Sequence, residues 1–233
     1  MPTKVRSYHE VIEKVTEFSG IPGATVSAVG TVEAEGSRYP VFSIRIADPS
    51  RTESDARMVL LSGGIHGNEP GGVWAVLEFM KRFPDLPEAY RNLEFTILPC
   101  TNPYGFEHDT RENGDGIDLN RQFRDSHPPA EVQQVKKVVA GRAFDLTFEF
   151  HEDVDSPGFY LYELTQEGEP SWGKEILQII AKTHPINTNS ENTRAAGRSA
   201  PSRDRSRVVP RAMKKNSSRK SRSGASRAAM VSR

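Results

Sequence analysis

His66 and Glu69 stand three residues apart in the stretch RMVLLSGGIHGNEPGGVWAVLEFMKRF, residues 57–83. An imidazole and a carboxylate so spaced on one turn can grip a single metal ion from the same side. A second histidine, His151, directly follows the apolar run FDLTFEF. Two histidines and one carboxylate, with a fourth position left to water, are the donor set of a hydrolytic zinc site. Glu152 and Asp153 are both placed to orient a ligating ring from behind, and the sequence does not choose between them.

These donors need a scaffold. Met58 to Leu61 is an apolar run of strand length, after which Gly63, Gly64 and Gly67 let the chain turn. Pro70 suits the first turn of a helix, and Val73, Val76, Leu77 and Met80 recur behind it at helical spacing. His66 and Glu69 therefore fall at the C-terminal end of a strand, where ligand sites of open α/β sheets lie. Phe144 to Phe150 reads as a second strand that delivers His151 to the same edge if the two strands are parallel neighbours.

The other elements follow in order. Residues 8–18 place Val11, Ile12, Val15 and Phe18 on one helical face. Ala24–Glu33 and Tyr39–Ala47 are rich in strand formers around a Glu-Gly-Ser turn, which predicts a hairpin or a pair of neighbouring strands. Leu93–Leu98 is a strand, Glu131–Val139 a helix, Gly158–Glu163 a strand and Trp172–Thr183 a helix. Between them, Thr101–Pro129 is long, polar and without apolar periodicity, and loops of that kind in compact domains are usually functional or disordered. Alternating strands and helices predict an α/β fold with a mixed, mostly parallel central sheet flanked by helices.

Composition divides the chain in two. Its 233 residues carry zero formal net charge, 36% hydrophobic and 27% charged side chains. Residues 1–190 hold 18 basic and 29 acidic residues, whereas 191–233 hold 13 basic residues against Glu191 and Asp204. That last segment has no aromatic residue and is dominated by Ser, Arg and Ala, so it is expected to be a disordered tail. The domain proper is expected to span 1–190. With +11 the tail would attract phosphates, but it lacks aromatics for stacking and any recognisable module, so no nucleic-acid partner is expected. Cys100 is the single cysteine, which excludes an internal disulfide and a cysteine-built zinc site. No apolar run reaches membrane-span length and the N-terminus lacks a signal-peptide core, so a cytoplasmic protein without a membrane partner is expected.

Four motifs in order, HGNE (66–69), NPYG (102–105), TRENGDGIDLNRQF (110–123) and FEFHED (148–153), resemble the zinc carboxypeptidase superfamily. That superfamily includes succinylglutamate desuccinylase, aspartoacylase and murein-peptide amidases. The spacing from Glu69 to His151 is closer to the compact amidases and deacylases than to the digestive carboxypeptidases. The resemblance implies one Zn²⁺ held by His66, Glu69 and His151. It implies Arg111 at the scissile carbonyl and its developing oxyanion, and Asn120 with Arg121 on a substrate carboxylate. The implied reaction is attack of zinc-held water on a peptide or amide carbonyl. The implied substrate is a peptide or an N-acyl amino acid with a free carboxylate.

One part of the pattern is missing. The family takes its general base from a glutamate on a late strand, but past Glu175 this chain has only Glu191, with no apolar strand around it. The change of composition near Ser190 reads as a C-terminal part that is truncated or frame-shifted, and the general base is unassigned. The expected activity is that of a metallocarboxypeptidase-type hydrolase, impaired in this chain. The alternatives are an N-acyl amino acid deacylase and a zinc-binding protein without activity.

Overall fold

The computed structural model of the chain describes residues 5–48, 57–165, 171–188 and 226–232. Apolar spacing sets the first helix, α1 (Tyr8–Glu17), whose Val11 and Val15 are buried while Glu10, Glu13 and Lys14 face water. Next comes the expected hairpin of antiparallel β1 (Ala24–Ala34) and β2 (Ser37–Ile46), closed by Glu35 and Gly36 at positive φ. β3 (Arg57–Ser62), α2 (Pro70–Arg82) and β4 (Leu93–Leu98) form a unit with parallel strands.

The long polar stretch after β4 is more ordered than its composition suggests. It holds α3 (Pro103–His108) and a 3-10 turn at Leu119–Arg121 before α4 (Ala130–Val139). Both short elements are built by side-chain caps rather than by apolar periodicity. The Asn102 side chain accepts a hydrogen bond from the Gly105 amide, and Asp118 accepts one from the Asn120 amide. The chain continues through β5 (Leu146–Asp153), β6 (Tyr160–Leu164), α5 (Gly173–Ile180) and β7 (Ser226–Ser232).

The strands form one mixed sheet in the order β1-β2-β4-β3-β5-β7-β6. Its parallel centre is β4-β3-β5, whereas the hairpin on one side and β7 on the other run against the strands they meet. Among the described strands, parallel pairing is thus confined to this centre and to β6–β7. Successive side chains of a strand point to opposite faces. Val59 and Leu61 of β3 join Phe95, Ile97 and the α1 and α2 side chains in the larger core, whereas Leu60 and Leu98 meet Val135 of α4 on the other face. Each fully buried side chain of this size contributes about 1.5–3 kcal/mol.

Disorder was expected throughout 191–233, and β7 corrects that expectation at 226–232. Its Ala228, Ala229, Met230 and Val231 form a short apolar run within the basic segment. As a strand between β5 and β6 it pairs the backbone groups of both neighbours and covers the outer edge of β5. Residues 191–225, Glu191 among them, lie outside the described residues.

Strand order also fixes where a ligand can sit. From β3 the chain passes over one face through α2 to β4, whereas from β5 it leads away to β6 at the other end of the sheet. Connections that diverge from two neighbouring parallel strands leave a crevice at their C-terminal ends. The crevice of this fold lies between the ends of β3 and β5.

Candidate metal centre

β3 ends at Ser62, and the backbone beyond it stays tied to the segment after β4. Gly63 donates to the Leu98 carbonyl, and Thr101 and Asn102 donate to the carbonyls of Gly63 and Gly64. Gly64 takes a positive φ of 65°, which only a residue without Cβ adopts at little cost. Gly67 then passes so close to α3 that a Cβ there would collide with the backbone of Gly105. The HGNE turn and the NPYG helix are thereby fixed against each other. Glu69 ends up at the N-cap position of α2, with Pro70 in the first turn as the sequence predicts.

β5 supplies the third donor. The strand does not stop before His151, as the sequence suggested, but runs on to Asp153 because β7 gives its last residues a partner, with Ala228 opposite His151. All three side chains are buried: His66 is 2%, Glu69 8% and His151 4% exposed. The two carboxylate oxygens of Glu69 divide between the rings. Oε1 lies 2.7 Å from His66 Nδ1 and Oε2 lies 2.7 Å from His151 Nδ1.

The donor atoms of these three residues lie within 4.8 Å of one another. Contacts of 2.7 Å between an imidazole nitrogen and a carboxylate need a proton in each, and a divalent ion can replace both protons with its own charge. Two neutral imidazoles and one carboxylate suit zinc better than calcium or magnesium, which prefer all-oxygen cages. The residues present fit the ion.

The protein fixes these donors from behind, and here the structure differs from the expectation for Glu152 and Asp153. Among the described residues neither carboxylate meets the His66 or His151 ring. Glu152 accepts from the Gly71 amide while its own amide donates to Glu69 Oε2, and Asp153 accepts from the Tyr160 hydroxyl. Asp118 takes the orienting position instead, with Oδ1 3.3 Å from His66 Nε2. Asp118 lies within the TRENGDGIDLNRQF motif, and neither its local sequence nor the resemblance assigns it a role. Its signal was an acid two residues before Asn120 in a stretch where apolar periodicity is absent.

Arg111 closes the site from the loop side. Its guanidinium donates to Glu69 Oε1 at 3.2 Å and to Asp118 Oδ2 at 3.2 and 3.1 Å. Burial works against the charged form of Glu69, but hydrogen bonds from His151 and His66 outweigh it and hold the carboxyl down at about 2. Asp118 follows the same logic: burial opposes its charge, and Arg111, His66 and Arg121 together keep its pKa below the usual range.

Asn120 and Arg121 fall in the 3-10 turn directly after Asp118. Asn120 is buried and, among the described residues, its Oδ1 has no hydrogen-bond partner, while exposed Arg121 donates to the Asn120 carbonyl. The structure therefore brings Arg111 into contact with Glu69 and places Asn120 and Arg121 directly after Asp118, the other partner of Arg111.

The comparisons with known proteins bear on the family and the fold. The family model of the succinylglutamate desuccinylase/aspartoacylase catalytic domain matches residues 55–208. Carboxypeptidase SOL1 of Arabidopsis thaliana is 29% identical over 112 residues, which is 45% of this chain and 23% of that protein. Among solved structures, a metallo-carboxypeptidase from Burkholderia cenocepacia superposes with a TM-score of 0.59 at 25% identity, covering 73% of this chain and 47% of that one. A metallo-carboxypeptidase from Pseudomonas aeruginosa, solved in complex with (2-guanidinoethylmercapto)succinic acid, gives a TM-score of 0.58 at 19% identity, covering 76% of this chain and 48% of that one. At that identity the second likeness bears on the fold alone. The chain spans about a quarter of the plant protein and about half of each bacterial structure.

Proposed function

Because the chain belongs to the succinylglutamate desuccinylase/aspartoacylase family, within the zinc carboxypeptidase-like superfamily, we propose that it is built as a zinc-dependent amide hydrolase of the metallocarboxypeptidase type. The observation that carries this reading is the convergence of buried His66, Glu69 and His151 at the crevice between β3 and β5. These three residues would hold the ion, which when bound supplies Lewis acidity and lowers the pKa of water.

The chain's own residues do the rest. Asp118 holds the His66 ring and its tautomer. Arg111, half-buried between Glu69 and Asp118, is positioned to donate to the substrate carbonyl oxygen as negative charge develops there. Asn120 and Arg121 take the substrate carboxylate, since a guanidinium and an amide give directed hydrogen bonds to it. A peptide C-terminus meets that requirement. So does the carboxylate of an N-acyl amino acid, and the match to a desuccinylase/aspartoacylase domain favours this second substrate class.

Turnover by this chain is expected to be slow. β7, the last strand described, contains no glutamate, and Glu191 lies outside the described residues. A missing general base costs roughly 10²–10⁴-fold.

The test compares binding of a peptide with a free C-terminus, its amidated form and an N-acetyl amino acid to zinc-loaded protein. Free acid should bind more tightly than amide, and Arg121→Ala should erase that preference. A preference that survives in Arg121→Ala would remove the carboxylate role from this residue. Tight binding of the N-acyl amino acid with none of the peptide would select the deacylase.

A further inference from the structure

Arg111 and Asp118 reach the metal centre from one loop, so something must hold that loop. Gly114 and Gly116 lie between the two residues, and Gly116 takes a positive φ of 71°. Left to itself, such a segment samples many backbone states.

Asn113 gathers it. Its amide donates to the Ile117 carbonyl at 3.1 Å, and its carbonyl accepts from the Gly116 amide at 3.0 Å. Its side-chain Oδ1 accepts from the amides of Asp115 and Ile117 at 3.1 and 3.0 Å. Its Nδ2 donates to Glu131 Oε1 at 3.1 Å. Asn113 is thus the clasp of a closed five-residue turn, and Glu131 is what the clasp hangs from.

Glu131 stands in the first turn of α4, a helix anchored to the sheet through Val135, with Val132 also fully buried. It is 2% exposed, and the described side-chain hydrogen bond it makes to another residue is the one to Asn113. A carboxyl buried so deeply is costly unless it has a specific task, because leucine or glutamine fills the same space without the desolvation.

Building on the proposed metal centre, we propose that Glu131 is a positioning residue. Through Asn113 it sets the distance at which Asp118 meets His66 and Arg111 meets Glu69. The chain of contact runs from the sheet through α4, Glu131 and Asn113 to the turn, and from its two ends to the metal donors. Glu131 itself touches neither donor nor substrate.

The experiment measures zinc affinity by competition with a chelator for wild type, Glu131→Leu, Glu131→Gln, Asp118→Asn and the Glu131→Leu/Asp118→Asn double variant. Loss of a group that supports a metal ligand weakens affinity about 10–100-fold, and an indirect support belongs at the lower end. Glu131→Leu should therefore weaken zinc binding about tenfold, while Glu131→Gln, which keeps the acceptor for Asn113, should bind like wild type. In the Asp118→Asn background Glu131→Leu should have little further effect, because the group it positions is already gone.

Equal losses in both backgrounds would mean a general weakening of the fold and would overturn the proposal, as would wild-type affinity in Glu131→Leu. A second readout does not require the metal. The ring signals of His66 in the NMR spectrum of metal-free protein should shift in Glu131→Leu and not in Glu131→Gln, and unshifted signals in both would also overturn it. Wild-type protein that fails to bind zinc would sink the proposed function, while the ring signals would still decide on Glu131.

Discussion

Two buried carboxylates of this sheet each lie between two basic side chains, and they serve opposite ends. Glu69 bridges His66 and His151 at 2.7 Å on either side. Glu94 of β4 takes Arg45 in a bidentate pair at 2.7 and 2.7 Å, and Arg142 at 2.8 Å. The pairings look alike, but the partners differ in kind. Guanidiniums never give up their protons and offer no lone pair, so the Glu94 cluster can only be an ion-pair brace. Imidazoles can exchange a proton for a metal.

Position sharpens the contrast. Glu94 projects from the body of a strand, and Arg142 also donates to Thr96 of that strand, which ties the segment before β5 to β4. Glu69 projects from a glycine turn at the open crevice between two strand ends. One cluster locks strands together; the other gathers two imidazoles and a carboxylate at the ends of two neighbouring strands.

The sharpest way to break this comparison is metal content. Wild-type protein should bind about one zinc per chain. His66→Ala and His151→Ala should lose it on dialysis, whereas Glu94→Ala and His184→Ala should keep it. Equal zinc in His66→Ala and His184→Ala would dissolve the distinction.

Stability should respond in the reverse sense. Glu94→Ala leaves two guanidiniums without their shared partner, and breaking a buried pair costs about 3–5 kcal/mol. Arg45 and Arg142 each reach water in part, so the loss should fall near about 3 kcal/mol in urea unfolding. A loss below about 1 kcal/mol would show that the brace is dispensable.

A third measurement probes what stands behind the metal donors. Asp118→Asn keeps the shape but loses the charge facing His66 and Arg111, and should weaken zinc affinity about 10–100-fold. An unchanged affinity would place the orienting group elsewhere.

The smallest effect concerns acid. In metal-free protein the Glu69 carboxyl sits at about 2 against an ordinary 4.5. A depressed carboxyl contributes stability that is fully present above the ordinary value and is lost as pH falls from about 4.5 through about 2. Glu69→Gln should therefore unfold with a shallower acid limb than wild type over that window. Glu94, also held below its usual range by Arg45, should keep its own share in both proteins. Identical acid limbs would mean that the two imidazoles do not stabilise the Glu69 anion.

Much of the fold was legible because its signals are local. The apolar runs of β3 and β4, the helical spacing of α2 and Pro70 in its first turn appear in the structure where the sequence puts them. α3 and the turn at Leu119 were hidden, since their order comes from the Asn102 and Asp118 caps. β7 was hidden for a different reason: a four-residue apolar run inside a basic, serine-rich segment is too weak a local signal, and its pairing with β5 and β6 is non-local.

What the sequence by itself determined is the inventory: a His-Glu turn after one strand, a histidine at the end of another, and a loop carrying Arg111, Asn120 and Arg121. Short-range sterics and periodicity dictate the two strand ends, and the loop residues stand out through the motif they share with the superfamily. Only the tertiary structure decided that β5 lies beside β3, which makes two histidines 85 residues apart neighbours with ring centres 5.1 Å apart. It also decided that Asp118, rather than Glu152 or Asp153, faces His66. Strand order and loop docking depend on the summed burial of both sheet faces and on close backbone contacts such as Gly67 against Gly105, and no local stretch of sequence carries that sum.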